Sequence, residues 1–312
     1  MSEVVRARAL RAGARLAVVS PASTPKPERV AAGMDRLRAM GYEPMLSPHA
    51  LDRGPLYYAG RIEDRLMDLH AAFADPAIDG ILCARGGWGS AELLPHLDAE
   101  LIQSNPKAFI GYSDLTSLQT WLRNEAGLVC FYGPMVAADF ARTAGIDGAS
   151  WQGALCGETG WSVGVTEGLR VLRLGTAEGR LGGGCLSILA ESLGTLYAPR
   201  GDSGVLFLED VGTKPYQWDR ILCHLRYAGV LDGVQGIVFG NMAQCCGPEE
   251  MALLDAAILH ALREFTGPIA IGLRCGHVDG ANVTLPLGVR VRLDCMDPMN
   301  PRMDFLETAV TL

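Results

Sequence analysis

Short apolar runs alternate with helical spacing through residues 15–132, and this alternation constrains the fold more than any other feature. The runs at 15–20 (RLAVVS), 79–84 (DGILCA), 107–112 (KAFIGY) and 128–132 (LVCFY) read as strands, with a further extended segment at 42–47. Between them, Val30, Met34 and Leu37 share one helical face in a segment closed by Gly41. Ile62, Leu66, Leu69 and Phe73 share another, stopped by Asp75-Pro76. Ser90 to Leu97 and Asp114 to Asn124 read as two more helices. Strands joined this way run parallel, because each helix is the crossover that returns the chain to the same end of the sheet. The expectation is an N-terminal Rossmann-like, three-layer α/β domain over residues 1–145.

The rhythm changes near residue 140. Residues 141–184 are rich in Gly, Thr and Ser without a strong period, and 146–175 is expected to be a linker. Beyond it, 204–208, 234–240, 268–272 and 289–293 read as strands, with helices at Asp219 to Tyr227 and Pro248 to Glu264. In the first of these helices Asp219 reads as the N-cap, with Trp218 and Arg220 structural. Residues 176–312 are therefore expected to form a second, mixed α/β domain.

Composition narrows the function. The chain has 312 residues, 49% of them hydrophobic, enough to bury a core without staples. Its net charge is −8, from 27 basic and 35 acidic residues, which argues against nucleic acid as a partner. No apolar run has the length of a signal peptide or a membrane span, so a cytoplasmic protein off the membrane is expected. Nine cysteines, without a CxxC pair, read as thiols of a reducing compartment. Cys83, Cys130 and Cys223 fall in apolar patterns and read as core. No metal-ligand spacing is apparent.

The most informative segment is Ile110-Gly111-Tyr112-Ser113-Asp114-Leu115, between a strand and a helix. A small residue before the serine permits the sharp turn of a nucleophile elbow, at the strand ends where open sheets bind ligands. The backbone N–H of Asp114 would lie at the helix start, where it can donate to an oxyanion. Leu115 replaces the second Gly of G-x-S-x-G, and the spacing equally fits Ser113 as a helix N-cap. A serine nucleophile needs a base and an orienting acid. Four of the six histidines fall in helical patterns and His49 in a Pro-flanked loop. His277 follows a strand between two glycines, which suits a base. Glu209 and Asp210 close a strand and face opposite ways, so either could be the acid.

Taken together, these segments are familiar. They include VVSPAS at 18–23, AGRIEDRLMDLHAAFADPAIDGILCARGGWGS at 59–90, GYSDLTSL at 111–118 and GPM at 133–135. GGGCLSIL at 182–189, LGT at 193–195, FLEDVGTKPYQWDRIL at 207–222, GH at 276–277 and LPLG at 285–288 follow in order. The sequence resembles the LD-carboxypeptidase family of serine peptidases, which includes murein tetrapeptide carboxypeptidases and microcin-immunity proteins.

The resemblance implies a triad of Ser113, Glu209 and His277, and oxyanion donors at Asp114 and Gly86. It implies hydrolysis of the amide to a C-terminal D-Ala in murein tetrapeptides, without metal or cofactor, by a homodimer that recycles peptidoglycan. Arg85, Gly87 and Trp88 are candidates for substrate binding, although a βα turn explains Gly86-Gly87 and a strand-end ion pair explains Arg85 equally well. Two positions depart from the family pattern. Trp88 stands where Tyr is usual, and Cys185 where an Asn is usual, which puts any contact by that amide in doubt. Three rival readings remain. One is a microcin-immunity-type peptidase acting on acyl-sulfamoyl nucleotides, with Trp151 or Trp161 stacking on a base unless they pack against the second domain. Another is a non-catalytic murein-peptide-binding protein. The third, an amidotransferase-like thiol enzyme, would need Cys in place of Ser113.

Overall fold

The computed structural model describes residues 4–200 and 204–312. They form two compact units: 4–158 with 280–286 and 308–312, and 159–279 with 287–307. The segment expected as a linker thus carries secondary structure in both.

In the first unit, β1 (Arg15–Val19), α1 (Pro27–Ala39), β2 (Glu43–Leu46), α2 (Ile62–Ala74) and β3 (Gly80–Cys83) follow in order. Next come α3 (Ala99–Ser104), β4 (Ala108–Gly111), α4 (Thr116–Ala126), β5 (Cys130–Tyr132) and α5 (Gly148–Leu155). Strands β5, β4, β3, β1 and β2 lie side by side and parallel. Every residue of β3, β4 and β5 is buried, as strands covered on both faces must be. The helix expected at 90–97 is instead a 3₁₀ segment, Ser90–His96. Pro95 lies inside it and lacks the donor an α-helix would use.

In the second unit, β6 (Ser162–Gly164), β7 (Arg170–Arg173), β8 (Thr176–Cys185), α6 (Leu186–Glu191) and β9 (Val205–Glu209) lead to α7 (Pro215–Tyr227). Then come β10 (Gly236–Gly240), α8 (Met251–Ala261) and β11 (Ile269–Leu273). The chain next adds β12 (Leu285–Leu287) to the edge of the first sheet beside β5, before β13 (Arg290–Asp294) and β14 (Arg302–Phe305). The second sheet runs β6-β14-β13-β8-β9-β10-β11-β7. Strands β8 to β11 are parallel, and antiparallel pairs flank them on both sides. The expected α/β class, a parallel-sheet unit and a mixed unit, is what the chain forms.

Alternation builds the second core. Leu206 and Leu208, Ile237 and Phe239, and Ile269 and Ile271 are buried at every second residue of three adjacent strands, with α6, α7 and α8 packed on them. Trp218 on α7 is fully buried, with its ring edge-on to Phe239 at 5.7 Å. Truncating such a side chain to Ala costs about 3–5 kcal/mol. Helix α7 starts at Pro215, four residues earlier than expected, so Asp219 lies in its second turn and is not its N-cap. Proline at the first helical position loses nothing, since that N–H has no partner within the helix. Cys83 and Cys130 are buried, whereas Cys223 is only partly so, a correction to its reading as core.

Candidate active site

In the first unit the chain leaves β4 through extended Tyr112 and turns at Ser113, whose φ is +66. A left-handed serine is strained by about 1–2 kcal/mol and persists only where its surroundings fix it. Tyr132, at the end of the neighbouring strand β5, supplies part of that: the Ser113 N–H donates to its Oη at 3.1 Å. An N-cap has extended backbone. Ser113 does not, and it opens a 3₁₀ turn, 113–115, that runs into α4. The cap role therefore falls away.

The Arg85-Gly86-Gly87-Trp88 turn after β3 comes directly against this serine. A Cβ on Gly86 would stand 2.9 Å from Ser113 Cβ and 3.2 Å from its Oγ, so only glycine allows the approach. Asp114 ties the two turns together. Its carboxylate accepts from Ser90 N at 2.9 Å, and its carbonyl accepts from Ser90 Oγ at 2.6 Å. Ser23, in the loop after β1, accepts from Trp88 N at 3.0 Å. The buried Arg65 of α2 donates to the carbonyls of Pro21 and Gly89 at 3.0 and 2.8 Å. It also pairs with Glu92 at 2.5 Å. Sequence reasoning singled out none of Ser23, Arg65, Ser90 or Tyr132 as supports, although the first three lie within the quoted motifs.

Arg85 is exposed, and its guanidinium donates to the carbonyls of Gly86 and Thr24. It forms no ion pair among the described residues, so the strand-end ion pair is not how it is held.

In the second unit the two adjacent acids have different partners. Glu209 ends β9 and is almost fully buried. His277 Nδ1 lies 2.9 and 3.1 Å from its two carboxylate oxygens, and His277 N donates to Oε2 at 3.1 Å. A carboxylate can only accept, so Nδ1 carries the hydrogen, and in the neutral ring Nε2 is the acceptor nitrogen. The approach depends on Gly276, where a Cβ would stand 2.5 Å from Glu209 Cδ. Asp210 faces the other way and accepts from Ser187 N and Val211 N, at 2.9 and 2.8 Å, holding the start of α6. Burial raises its pKa.

Cys185 pairs in register with Glu209, and its Sγ lies 3.5 Å from Ser187 Oγ. Burial, with the Glu209 charge second, pushes this thiol well above its ordinary value. Trp151 packs inside the first unit against Tyr42 and Phe140, and Trp161 stacks on Phe305 in the second. Among the described residues, His49, Asp52 and Asp64 come closest to metal-ligand spacing. They are partly exposed, and His49 Nδ1 is bonded to Asp52 at 2.8 Å.

These parts belong to a hydrolase of mixed α/β build. Residues 16–133 match the LD-carboxypeptidase N-terminal domain, and residues 178–293 match the LD-carboxypeptidase C-terminal domain. The chain belongs to the LD-carboxypeptidase family and is a peptidase. It is 41% identical to a putative carboxypeptidase of Streptomyces coelicolor over 94% of each chain. It is 32% identical to the murein tetrapeptide carboxypeptidase of Pseudomonas aeruginosa, over 83% of this chain and 84% of the relative. Among solved structures, an MccF-like protein from Bacillus anthracis superposes with a TM-score of 0.87 at 26% identity, covering 97% of this chain and all of that one. A muramoyltetrapeptide carboxypeptidase from Oxalobacter formigenes superposes at 0.80 and 26%, covering 95% of this chain and all of its own. No helix among the described residues is long and apolar enough to cross a membrane.

Proposed function

We propose that the chain is a serine-type carboxypeptidase that hydrolyses the amide between an L-centre and a C-terminal D-residue, D-Ala in murein tetrapeptides. The observation that carries this reading is Ser113, held left-handed at the end of a parallel strand with Gly86 pressed against it. Ser113, His277 and Glu209 act as one triad. Ser113 Oγ attacks the carbonyl while His277 takes its proton on Nε2, Nδ1 being engaged by Glu209. Glu209 fixes that tautomer and stabilises the imidazolium. The N–H groups of Asp114 and Gly86 stabilise the oxyanion, about 3 kcal/mol for one such donor. His277 then protonates the leaving amine, and water releases the acyl-enzyme. Arg85, Gly87 and Trp88 contact the substrate.

The relatives named as murein tetrapeptide carboxypeptidases support this substrate. On the same reading the enzyme is cytoplasmic, homodimeric and independent of metal or cofactor, and it serves peptidoglycan recycling. A second reading, cleavage of an acyl-sulfamoyl nucleotide conjugate, is favoured by the 26% identity to the microcin C7 self-immunity protein of Escherichia coli.

The test supplies purified protein with a murein tetrapeptide and measures free D-Ala, alongside a microcin-like conjugate. Ser113→Ala is expected to abolish release. Wild-type release from that variant would overturn the nucleophile. Binding of the tetrapeptide without any D-Ala release would make the protein a sensor. Turnover of the conjugate alone would favour the second reading.

A further inference from the structure

The two N–H groups assigned to the oxyanion sit on different turns, Asp114 after β4 and Gly86 after β3. Their separation therefore depends on what joins the turns. A donor serves an oxyanion only when it stands about 2.7–3.1 Å from that oxygen, so a small error in the separation weakens one donor or both. Contact sets the lower limit. A Cβ on Gly86 would stand 2.9 Å from Ser113 Cβ, so the turns have no room to come closer. The upper limit needs a bond, and Ser90, four residues beyond Gly86, supplies two. Its N–H donates to the Asp114 carboxylate at 2.9 Å, and its Oγ donates to the Asp114 carbonyl at 2.6 Å.

Two bonds to one residue fix its orientation as well as its distance. Both partners are buried, so water competes little for these bonds, and the one to the carboxylate is strengthened by charge. Ser90 is itself fixed from outside the site. The carbonyl of Gly89, the residue before it, accepts from Arg65 Nη1 at 2.8 Å, and Gly89 has φ +115. Trp88 N, two residues before it, donates to Ser23 Oγ at 3.0 Å. The turn after β3 is thus tied to α2 and to the loop after β1. Ser90 carries that position across to the Ser113 turn.

We propose that Ser90 is a positioning residue of the reaction: through its bonds to Asp114 it sets the separation of the Asp114 and Gly86 N–H groups. Ser90 touches no reacting atom and acts only through Asp114, as a support that holds a donor in place. The proposal rests on the serine-peptidase reading above and adds to it the residue that sets the width of the oxyanion site. Losing the Oγ bond leaves the substrate's resting contacts alone and loosens a donor needed when charge develops. The effect belongs to the transition state and not to substrate binding.

The full-length wild type and Ser90→Ala are compared on a murein tetrapeptide, by free D-Ala, and with a fluorophosphonate, by intact mass. In the second reaction Ser113 Oγ bonds to phosphorus as the P–F bond breaks, fluoride leaves and the hydroxyl proton passes to His277. Ser90→Ala keeps the N–H bond to the carboxylate and loses the one from Oγ. It is expected to lower kcat about tenfold, a smaller effect than the roughly 10²-fold cost of removing a donor outright. KM should stay within a factor of about two, as for a group felt only in the transition state. The phosphonylation rate should fall by about the same tenfold. Ser90→Thr keeps the hydroxyl and should restore both rates to within a factor of about three. If Ser90→Ala shows no folded melting transition, Ser90→Cys replaces it, and its weak S–H donor should give a smaller loss in both rates. Three results would overturn the proposal: unchanged rates in Ser90→Ala or its Cys replacement, a raised KM with unchanged kcat, or a Thr variant that melts as the wild type yet stays as slow as Ala. Failure of the peptidase reading shows separately, because the wild type would then take no fluorophosphonate on Ser113 and release no D-Ala.

Discussion

Gly276→Ala probes the Glu209–His277 pair through the backbone that permits it. Gly276 has φ +91, where an L side chain costs about 1–2 kcal/mol before any contact is made. The new Cβ would also stand 2.5 Å from Glu209 Cδ and 2.7 Å from Oε2. Glu209 has little room to retreat, because Gly240 packs so closely on it that a methyl there would lie 2.6 Å from the Glu209 Cβ. The carboxylate must swing off His277 and give up bonds of 3.1 Å from N and 2.9 Å from Nδ1. A hydrogen bond to a charged group contributes about 1.5–3 kcal/mol. Strain and the two lost bonds together give a destabilisation of about 4–8 kcal/mol. In a protein of this size the thermal midpoint should fall by about 6–12 °C. Turnover should fall by about 10²-fold or more, since the imidazole loses its positioning partner. Scanning calorimetry and D-Ala release on one preparation measure both. Gly280→Ala is the control, because a Cβ there meets nothing within 4 Å and should change neither. If Gly276→Ala melts with the wild type and keeps its activity within a factor of about two, Glu209 is not locked to His277 and the reasoning fails. The melting result stands whatever the substrate proves to be.

Gly86→Ala places a methyl 2.9 Å from Ser113 Cβ without a left-handed φ to disfavour it. It should lower kcat by about 10²-fold with a small change in melting, because the cost falls on the position of the nucleophile; unchanged kcat would place the reaction elsewhere. His70 accepts from Asp98 N at 3.2 Å, and burial lowers its pKa. The folded state then holds fewer protons on it than the unfolded chain, so its contribution to stability, present above about 6.5, is lost as pH falls below that through the lowered folded value. Urea unfolding at several pH values should show a smaller acid-side loss for His70→Gln. His49 has the opposite sign, its pKa raised chiefly by the bond to Asp52, so His49→Gln should remove a gain seen on acidification. Burial pushes Cys130 and Cys295 up to about 12 and Cys83 and Cys185 well above their ordinary value. A thiol reagent at about pH 8 should therefore spare these four in the native protein, and mass spectrometry of the labelled peptides would show otherwise if any is reactive.

The first sheet was legible because its strands and helices differ in period, and side chains report the period directly. Strand β8 was not, because Gly179, Gly182, Gly183 and Gly184 supply no side chains to alternate. It is held by backbone pairing to β9 on one side and β13 on the other, which a sequence pattern does not record. The start of α7 was misplaced for a related reason. Asp219 looked like a cap by residue type, while Pro215 occupies the first helical position. At the site, turn chemistry pointed to Ser113 but left its role open between cap and nucleophile. The dihedral removes the cap, and it follows from how the turn packs. Alternation separated Glu209 from Asp210 without saying which faced a histidine. The deciding fact is a close approach at Gly276, a residue 67 positions beyond Glu209.

The unit boundaries show the same limit from another direction. Residues 280–286 and 308–312 belong with the first unit although they follow most of the second. A handful of backbone N–H groups bond there, beside the buried Val283, Leu285 and Val310. Asn282 N donates to Gly145 O, and Asp147 N to Asn282 O, both at 3.0 Å. Thr284 N donates to Ser150 Oγ at 3.0 Å, and Thr311 N to Ala7 O at 2.8 Å. The three bonds between backbone groups do not depend on residue type, so composition and periodicity are silent about them. Buried amides nevertheless cost about 1–3 kcal/mol each when left unpaired, which makes these short returning segments part of the first unit's stability. A fragment ending at Glu158 would carry Ser113 but lack β12 and the bonds from Asn282, Thr284 and Thr311, so the scaffold around Ser113 is completed by residues from the far end of the chain.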